Sequence, residues 1–236
     1  MPRRCSIISN ALPRNTSARR AEAIERVLVP PGFYDRDPRR VGRELLGKVL
    51  VREETGKLVT ARIVEVEAYL GTGDLAAHAA AGRTPRNQVL FGPPGRAYVY
   101  FIYGNHYCLN VSCLRDGVAG GVLFRALEPL EGIAAMARAR KITLRGDRDL
   151  RLLTSGPGRL AEAFGITRTR DNGKDFTCVD SDLRIEDDGF DVAKVLVTPR
   201  IGIIKAAELP LRYLIAGNPF VSGPLRLRSA GAVGRR

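Results

Sequence analysis

Hydrophobic and polar positions change period several times along the chain. From Thr60 to Leu70 they alternate. Val64, Val66, Ala68 and Leu70 point one way, and Ile63, Glu65, Glu67 and Tyr69 the other. This predicts a strand with core on one side and two carboxylates and an aromatic on the other. A strand over Lys48–Arg52 precedes it, joined through the turn Glu53–Gly56, which is hairpin logic rather than a βαβ unit. Earlier still, Asp37-Pro38 supplies an N-cap and a first-turn proline. The helix they start puts Val41, Leu45 and Leu46 on one face and is stopped by Gly47.

Periodicity lapses over Gly71–Asn87, which predicts a loop with a helical turn across Asp74–Ala81. Phe91–Gly95 (FGPPG) predicts a tight turn. Arg96–Ser112 then reads as a hairpin: AYVYFIY, a turn at Gly104-Asn105, and HYCLNVS. Tyr98, Tyr100 and Ile102 share a face of its first strand, and Tyr103 lies at the tip. A strand follows at Val122–Ala126, then a helical period from Leu130 to Lys141. Ser155 is the expected cap of a helix opened by Pro157. Residues 171–191 read as an acidic hairpin facing away from any anionic partner. Val195–Ile204 is strand-like with a break at Pro199, and Leu211–Ile215 is one more short element. No repeat is present. The pattern predicts an α+β fold: a single domain with a curved, open-barrel-like antiparallel sheet flanked by helices.

Length and charge narrow the picture. A chain of 236 residues with 44% hydrophobic content supports one domain with a real core, expected over residues 27–222. The net charge of +13 points to an anionic partner, nucleic acid first and a membrane surface second. Residues 1–26 carry six Arg against two Glu and are expected to form a disordered basic tail. Residues 223–236, with four Arg and no acid, are expected to form a second basic tail. The four cysteines form no CxxC pair and match no His spacing, which argues against zinc and against a disulfide framework. A reducing cytoplasm fits. No apolar run reaches the ~18 residues of a membrane span, and the N-terminus has no sustained apolar stretch of a secretory signal.

The candidate chemistry collects between Arg62 and Arg125. Glu67 is either part of a solvated strand face or an acid/base group. His78 is either a surface histidine or, with Tyr69 and Tyr100, part of a stacking box. Tyr103 suits a partner-protein contact or a wedge between bases. Asn110, in an otherwise apolar strand, needs a partner or reads a ligand edge. Arg125 inside a strand wants a carboxylate such as Glu67. Arg83 and Arg86, around Thr84-Pro85, suit phosphates. Together these groups meet the needs of an enzyme acting on a base taken out of a duplex. Aromatic faces favour a cationic ring, such as an N-alkylated purine.

The segments RIVEVEAYLGTGDLAAH, GRTPRN, FGPPGRAYVYFIYGNHYCLNV, LFRALEPLEG, LTSGPGRL and PLRYLIAGNPFVS occur in one order. In that order the chain resembles the alkyladenine (3-methyladenine, methylpurine) DNA glycosylases over about Pro30–Ser222. The resemblance implies a monofunctional glycosylase that works as a monomer on double-stranded DNA containing damaged purines, without metal or organic cofactor. Its lesions would be of the 3-methyladenine, 7-methylguanine, hypoxanthine and etheno-adenine class, unranked among themselves. By position, Glu67 on the pocket floor would activate water and Arg125 would help bind it. Tyr69, His78 and Tyr100 would stack around the flipped base, and Asn110 would clash with the amine of normal guanine. Tyr103, at the tip of a hairpin protruding toward DNA, would fill the gap in the duplex, and Arg83 and Arg86 would contact the backbone.

The resemblance is not complete. Asn105 stands where an apolar residue is expected, and Ala79 replaces a common Ser. No lysine lies between Lys57 and Lys141, which argues against a Schiff-base lyase. The expected location is the bacterial cytoplasm with the nucleoid, or a nucleus. The competing reading is a non-catalytic module that binds damaged nucleic acid through the same pocket; a third is a protein-interaction domain using Tyr103.

Overall fold

The computed structural model describes residues 25–102 and 104–223. Residues 1–24 and 224–236 of the expected tails, and Tyr103, lie outside the described residues. Among the described residues, nine strands form one antiparallel sheet: β1 (Val27–Leu28), β2 (Val49–Glu54), β3 (Lys57–Tyr69), β4 (Ala97–Ile102), β5 (His106–Ser112), β6 (Gly121–Glu131), β7 (Leu183–Asp187), β8 (Val195–Thr198) and β9 (Arg212–Ile215). The order is β1-β7-β2-β3-β6-β5-β4, with β9 also paired to β3 and β8 to β9. Among the same described residues, six short α-helices pack on the sheet: α1 (Pro31–Tyr34), α2 (Pro38–Leu45), α3 (Ile133–Ala139), α4 (Arg151–Thr154), α5 (Pro157–Ala163) and α6 (Arg168–Asp171).

The expected local signals produce the start of the fold. The Asp37 carboxylate accepts the Arg39 amide at 2.8 Å, capping α2. Thr55 and Gly56 both take positive φ (48° and 73°), as a two-residue hairpin turn between β2 and β3 requires. The long strand β3 then organises the sheet. Its first half pairs with β2 and its second half, Glu65–Glu67, with β9, while β6 follows it on the other edge. Register shifts at Thr60/Ala61 and on both sides of Glu65 add local twist, and the sheet curls into a half-barrel.

That curl overturns part of the strand reading. Residues 59–68 of β3 are buried on both faces, so the face bearing Glu65 and Glu67 is interior rather than open. The side bearing Val64, Val66 and Ala68 packs in the main core with Leu45, Phe124, Leu127 and Tyr213.

Other expectations need correction. The helix expected from Leu130 begins at Ile133, because β6 runs on to Glu131 and Gly132 turns the chain at φ 76°. Asp74–Ala81 forms successive turns, not a helical turn. Ser155 does not cap α5: Gly156 holds that position, and the Ser155 hydroxyl donates to the Phe220 carbonyl at 2.6 Å. Residues 171–191 do not form a hairpin. Their one strand, β7, inserts between β1 and β2, and its flanking acids pair with Lys48, Arg52, Arg62 and Lys174.

Candidate active site

A cavity of about 510 Å³ opens between the β4–β5 hairpin, the loop after β3, the N-terminus of α5 and the loop after β8. This is within the size range of small-molecule sites. The hairpin supplies one wall through its register. Tyr98 lies opposite Asn110, Tyr100 opposite Cys108 and Ile102 opposite His106, and all six line the cavity. The alternate residues Val99, Leu109 and Val111 enter the core. Tyr69, His78, Arg125 and Ile201 complete the ring of groups with chemical interest. Tyr69, His78, Tyr100, Asn110 and Arg125, expected to act together, are thus brought to one cavity.

Glu67 sits one layer behind the lining. It is fully buried, and its partners form the wall in front of it. The Tyr69 hydroxyl donates to Oε2 at 3.0 Å, the Ile201 amide donates to Oε1 at 2.7 Å, and Arg125 Nη1 lies 3.2 Å from Oε1. The expected open carboxylate on the pocket floor is therefore a capped one, because the loop after β8 folds over it. Burial lowers the guanidinium pKa of Arg125, but the charges of Glu67 and Glu65 outweigh it and raise it. Burial, and then the Glu67 charge, push the Tyr69 phenol well above its ordinary value, so it stays a donor to Glu67.

Tyr69 is itself held from behind. The Arg200 guanidinium lies 4.6 Å from its ring centroid. Arg200 is locked by a bidentate pair with Asp74, at 2.5 and 2.9 Å, in which both side chains are fully buried. Burial pushes the Asp74 carboxyl up, but Arg200 and the Leu70 and Ala76 amides outweigh it and hold it below the usual range. Gly71 follows at φ 85°, and a Cβ there would stand 2.0 Å from the Ala119 carbonyl oxygen, so only glycine fits.

On the opposite wall the His78 ring stands edge-on to Tyr100, centroids 4.4 Å apart. His78 Nδ1 contacts the Tyr98 hydroxyl at 2.9 Å. Partial desolvation and then the Arg86 charge lower the His78 pKa, so the ring is neutral at pH 7. Burial raises the Tyr98 phenol pKa, and the nearby Arg86 and Arg168 charges offset part of that rise. Asn87 holds this loop by donating to the His78 and Gly82 carbonyls at 2.9 Å each. The Asn110 amide donates to the Tyr98 carbonyl at 3.0 Å, which fixes its orientation. Arg83 and Arg86 are exposed on the same loop.

Sequence reading missed Cys108, His106, Ile201 and Gly158 among the lining residues and Arg200 and Glu65 among the buried groups. Cys108 and His106 had a signal: the hairpin register places both beside Tyr100. Arg200 and Ile201 had none, since their partners Asp74 and Glu67 lie 126 and 134 residues away. Gly158 packs against the His106 ring at the start of α5. Glu65 was seen as a face position without a partner.

A cavity lined by Tyr69, Tyr98, Tyr100 and His78, with an Arg-paired carboxylate behind it, suits a planar heterocycle. Comparison with known proteins agrees in sequence. The family described as Methylpurine-DNA glycosylase (MPG) matches residues 32–219. A protein of Koribacter versatilis (strain Ellin345), named "Putative 3-methyladenine DNA glycosylase", is 65% identical over 195 residues, covering 83% of this chain and 93% of its own. Proteins of the same name from Burkholderia lata and Methanocella arvoryzae are 46% and 45% identical, covering 85% and 83% of this chain and 94% and 96% of their own. The chain belongs to the methylpurine-DNA glycosylase family. It is accordingly a DNA glycosylase, a hydrolase of N-glycosyl bonds of the class that serves base excision repair of alkylated bases.

Proposed function

We propose that this glycosylase acts as a monomer on double-stranded DNA, extrudes a damaged purine into the 510 Å³ cavity and hydrolyses its bond to the sugar. The substrate class is alkylated or deaminated purines: 3-methyladenine, 7-methylguanine, hypoxanthine and etheno-adenine. The observation that carries the reading is the placement of Glu67. It is the carboxylate in contact with three lining residues at once, Tyr69, Arg125 and Ile201.

The base stacks between Tyr69 on one side and Tyr100 with His78 on the other. Glu67 and Arg125 hold a water against the sugar. Glu67 accepts its proton as it attacks the anomeric carbon, while the purine leaves with the bonding electron pair. An alkylated purine already carries positive charge and leaves without help. A neutral purine must gain a proton first. Asn110, held by the Tyr98 carbonyl, excludes the amine of normal guanine. No lysine is among the cavity-lining residues, in keeping with water as the nucleophile. Arg83 and Arg86 track phosphates, and Tyr103 fills the gap in the duplex.

The test pairs release with binding. Glu67→Gln should lose excision from methylated duplex DNA and keep its affinity for a duplex with an abasic-site analogue. Excision at the wild-type rate would remove Glu67 from its role.

A further inference from the structure

β3 carries two fully buried carboxylates, and the proposed reaction uses one. We propose that the other, Glu65, is a positioning residue: it holds Arg125 so that the guanidinium is shared and Glu67 is left able to take a proton. The inference deepens the reading of Glu67 as the base and rests on it.

Glu65 accepts four bonds. Oε1 takes Arg125 Nε at 3.1 Å, Arg212 Nε at 2.6 Å and the Ser222 hydroxyl at 2.8 Å, while Oε2 takes the Ser222 amide at 2.6 Å. Arg125 is thereby divided, with Nε on Glu65 and Nη1 on Glu67. The backbone prepares this division. β6 pairs Ala126 with Glu65 and Phe124 with Val66, and the register skips Arg125.

Without Glu65, a guanidinium beside one carboxylate would turn both N–H groups of its fork onto it, the preferred bidentate arrangement. Glu67 would then be a tightly held anion and a poor base. Charged and titratable groups face Glu67 from every element packed against it, and among them the arginines carry the charge. These groups are Tyr69 on its own strand, Arg125 on β6, Cys108 on β5, Arg200 after β8 and Arg212 opposite it on β9. Removing the Glu65 charge leaves Arg125 with Glu67 as its carboxylate, leaves Arg212 without its own, and removes the anionic neighbour of Glu67 on β3. All three changes strengthen the pull of positive charge on the Glu67 carboxylate.

The experiment is single-turnover excision from methylated duplex DNA against pH, with Tm recorded for every variant. The set is wild type, Glu67→Gln, Glu65→Gln, Arg125→Met and the double variant of the last two. Glu65→Gln should slow excision roughly tenfold to a hundredfold, the scale on which outer partners of a reacting group act. It should also move the acidic limb of the profile to lower pH. In the Arg125→Met background it should add no further loss, because it acts through Arg125. Multiplying losses with an unmoved acidic limb would overturn the inference and leave Glu65 as a staple for Arg212 and Ser222. Wild-type excision by Glu67→Gln would instead overturn the base reading, and this inference with it. If Glu65→Gln does not fold, Glu65→Asp decides by the same cycle. It keeps the charge and shortens the reach by one methylene, and losses that multiply in that cycle also overturn the inference.

Discussion

The molecule buries acids against arginines in two places, and they do different work. Beyond β2, Asp171 is fully buried and meets Arg52 at 2.8 Å, Lys174 at 3.0 Å and the Thr167 amide at 2.9 Å. Asp188 meets Arg62 through both oxygens at 2.9 and 2.8 Å. Near the cavity, Glu67 is as fully buried as Asp171 and also meets an arginine. Its neighbours, however, line an opening of 510 Å³ rather than packed core. A buried acid–arginine pair is therefore not a site in itself. What sets Glu67 apart is that each of its partners has its other side in a space where a ligand fits.

Exchanging acid for amide at each place separates the two. Glu67→Gln should cut excision by about 10³-fold, the scale of lost general-base catalysis, with a small change in Tm. Asp171→Asn should do the reverse. Unfolding free energy should fall by about 3 kcal/mol, as for a broken buried pair, while excision per folded molecule stays at the wild-type rate. Equal excision losses in the two variants would erase the distinction.

Tyr69→Phe removes the hydroxyl on Glu67 Oε2 and keeps the ring. Excision should slow about tenfold, the worth of one hydrogen bond to a charged acceptor. A wild-type rate would show that the phenol caps Glu67 without orienting it. The surfaces should differ as well. Arg86→Ala should lower the slope of log affinity against log salt by about one, the signature of one lost phosphate contact. Arg184→Ala, whose arginine pairs with Glu53 and Glu186 on the acidic side, should leave that slope in place.

The smallest effect is in acid. Burial pushes the Asp171 carboxyl up, but the Thr167 amide, Arg52 and Lys174 outweigh it and hold it below its ordinary value. Asp188 is held low chiefly by its bond to Arg62. A depressed folded pKa adds stability above the unfolded value of about 3.9, and that stability is lost as pH falls through the folded value. Urea midpoints should therefore drop below about pH 4, less steeply in Asp171→Asn than in wild type.

What could be read from the sequence was what has a local period. The alternation through Tyr98, Tyr100 and Ile102 places three residues on one cavity wall, and the step of two from Glu67 to Tyr69 puts acid and ring on one face. The Asp37 cap and the Thr55-Gly56 turn carry their chemistry in adjacent residues. What stayed hidden was pairing across long stretches of chain. Nothing near Arg200 announces Asp74, and nothing near Ser222 announces Glu65. The second buried face of β3 was missed for the same reason. Alternation reports that two faces differ, but whether the polar face meets water depends on the loop after β8 and on β9, which arrive more than a hundred residues later.

That late arrival bears on synthesis. The Ile201 amide on Glu67 and the Arg212 guanidinium on Glu65 come from the last sixth of the chain. A nascent polypeptide still short of them on the ribosome would carry the aromatic walls without the finished carboxylate pair.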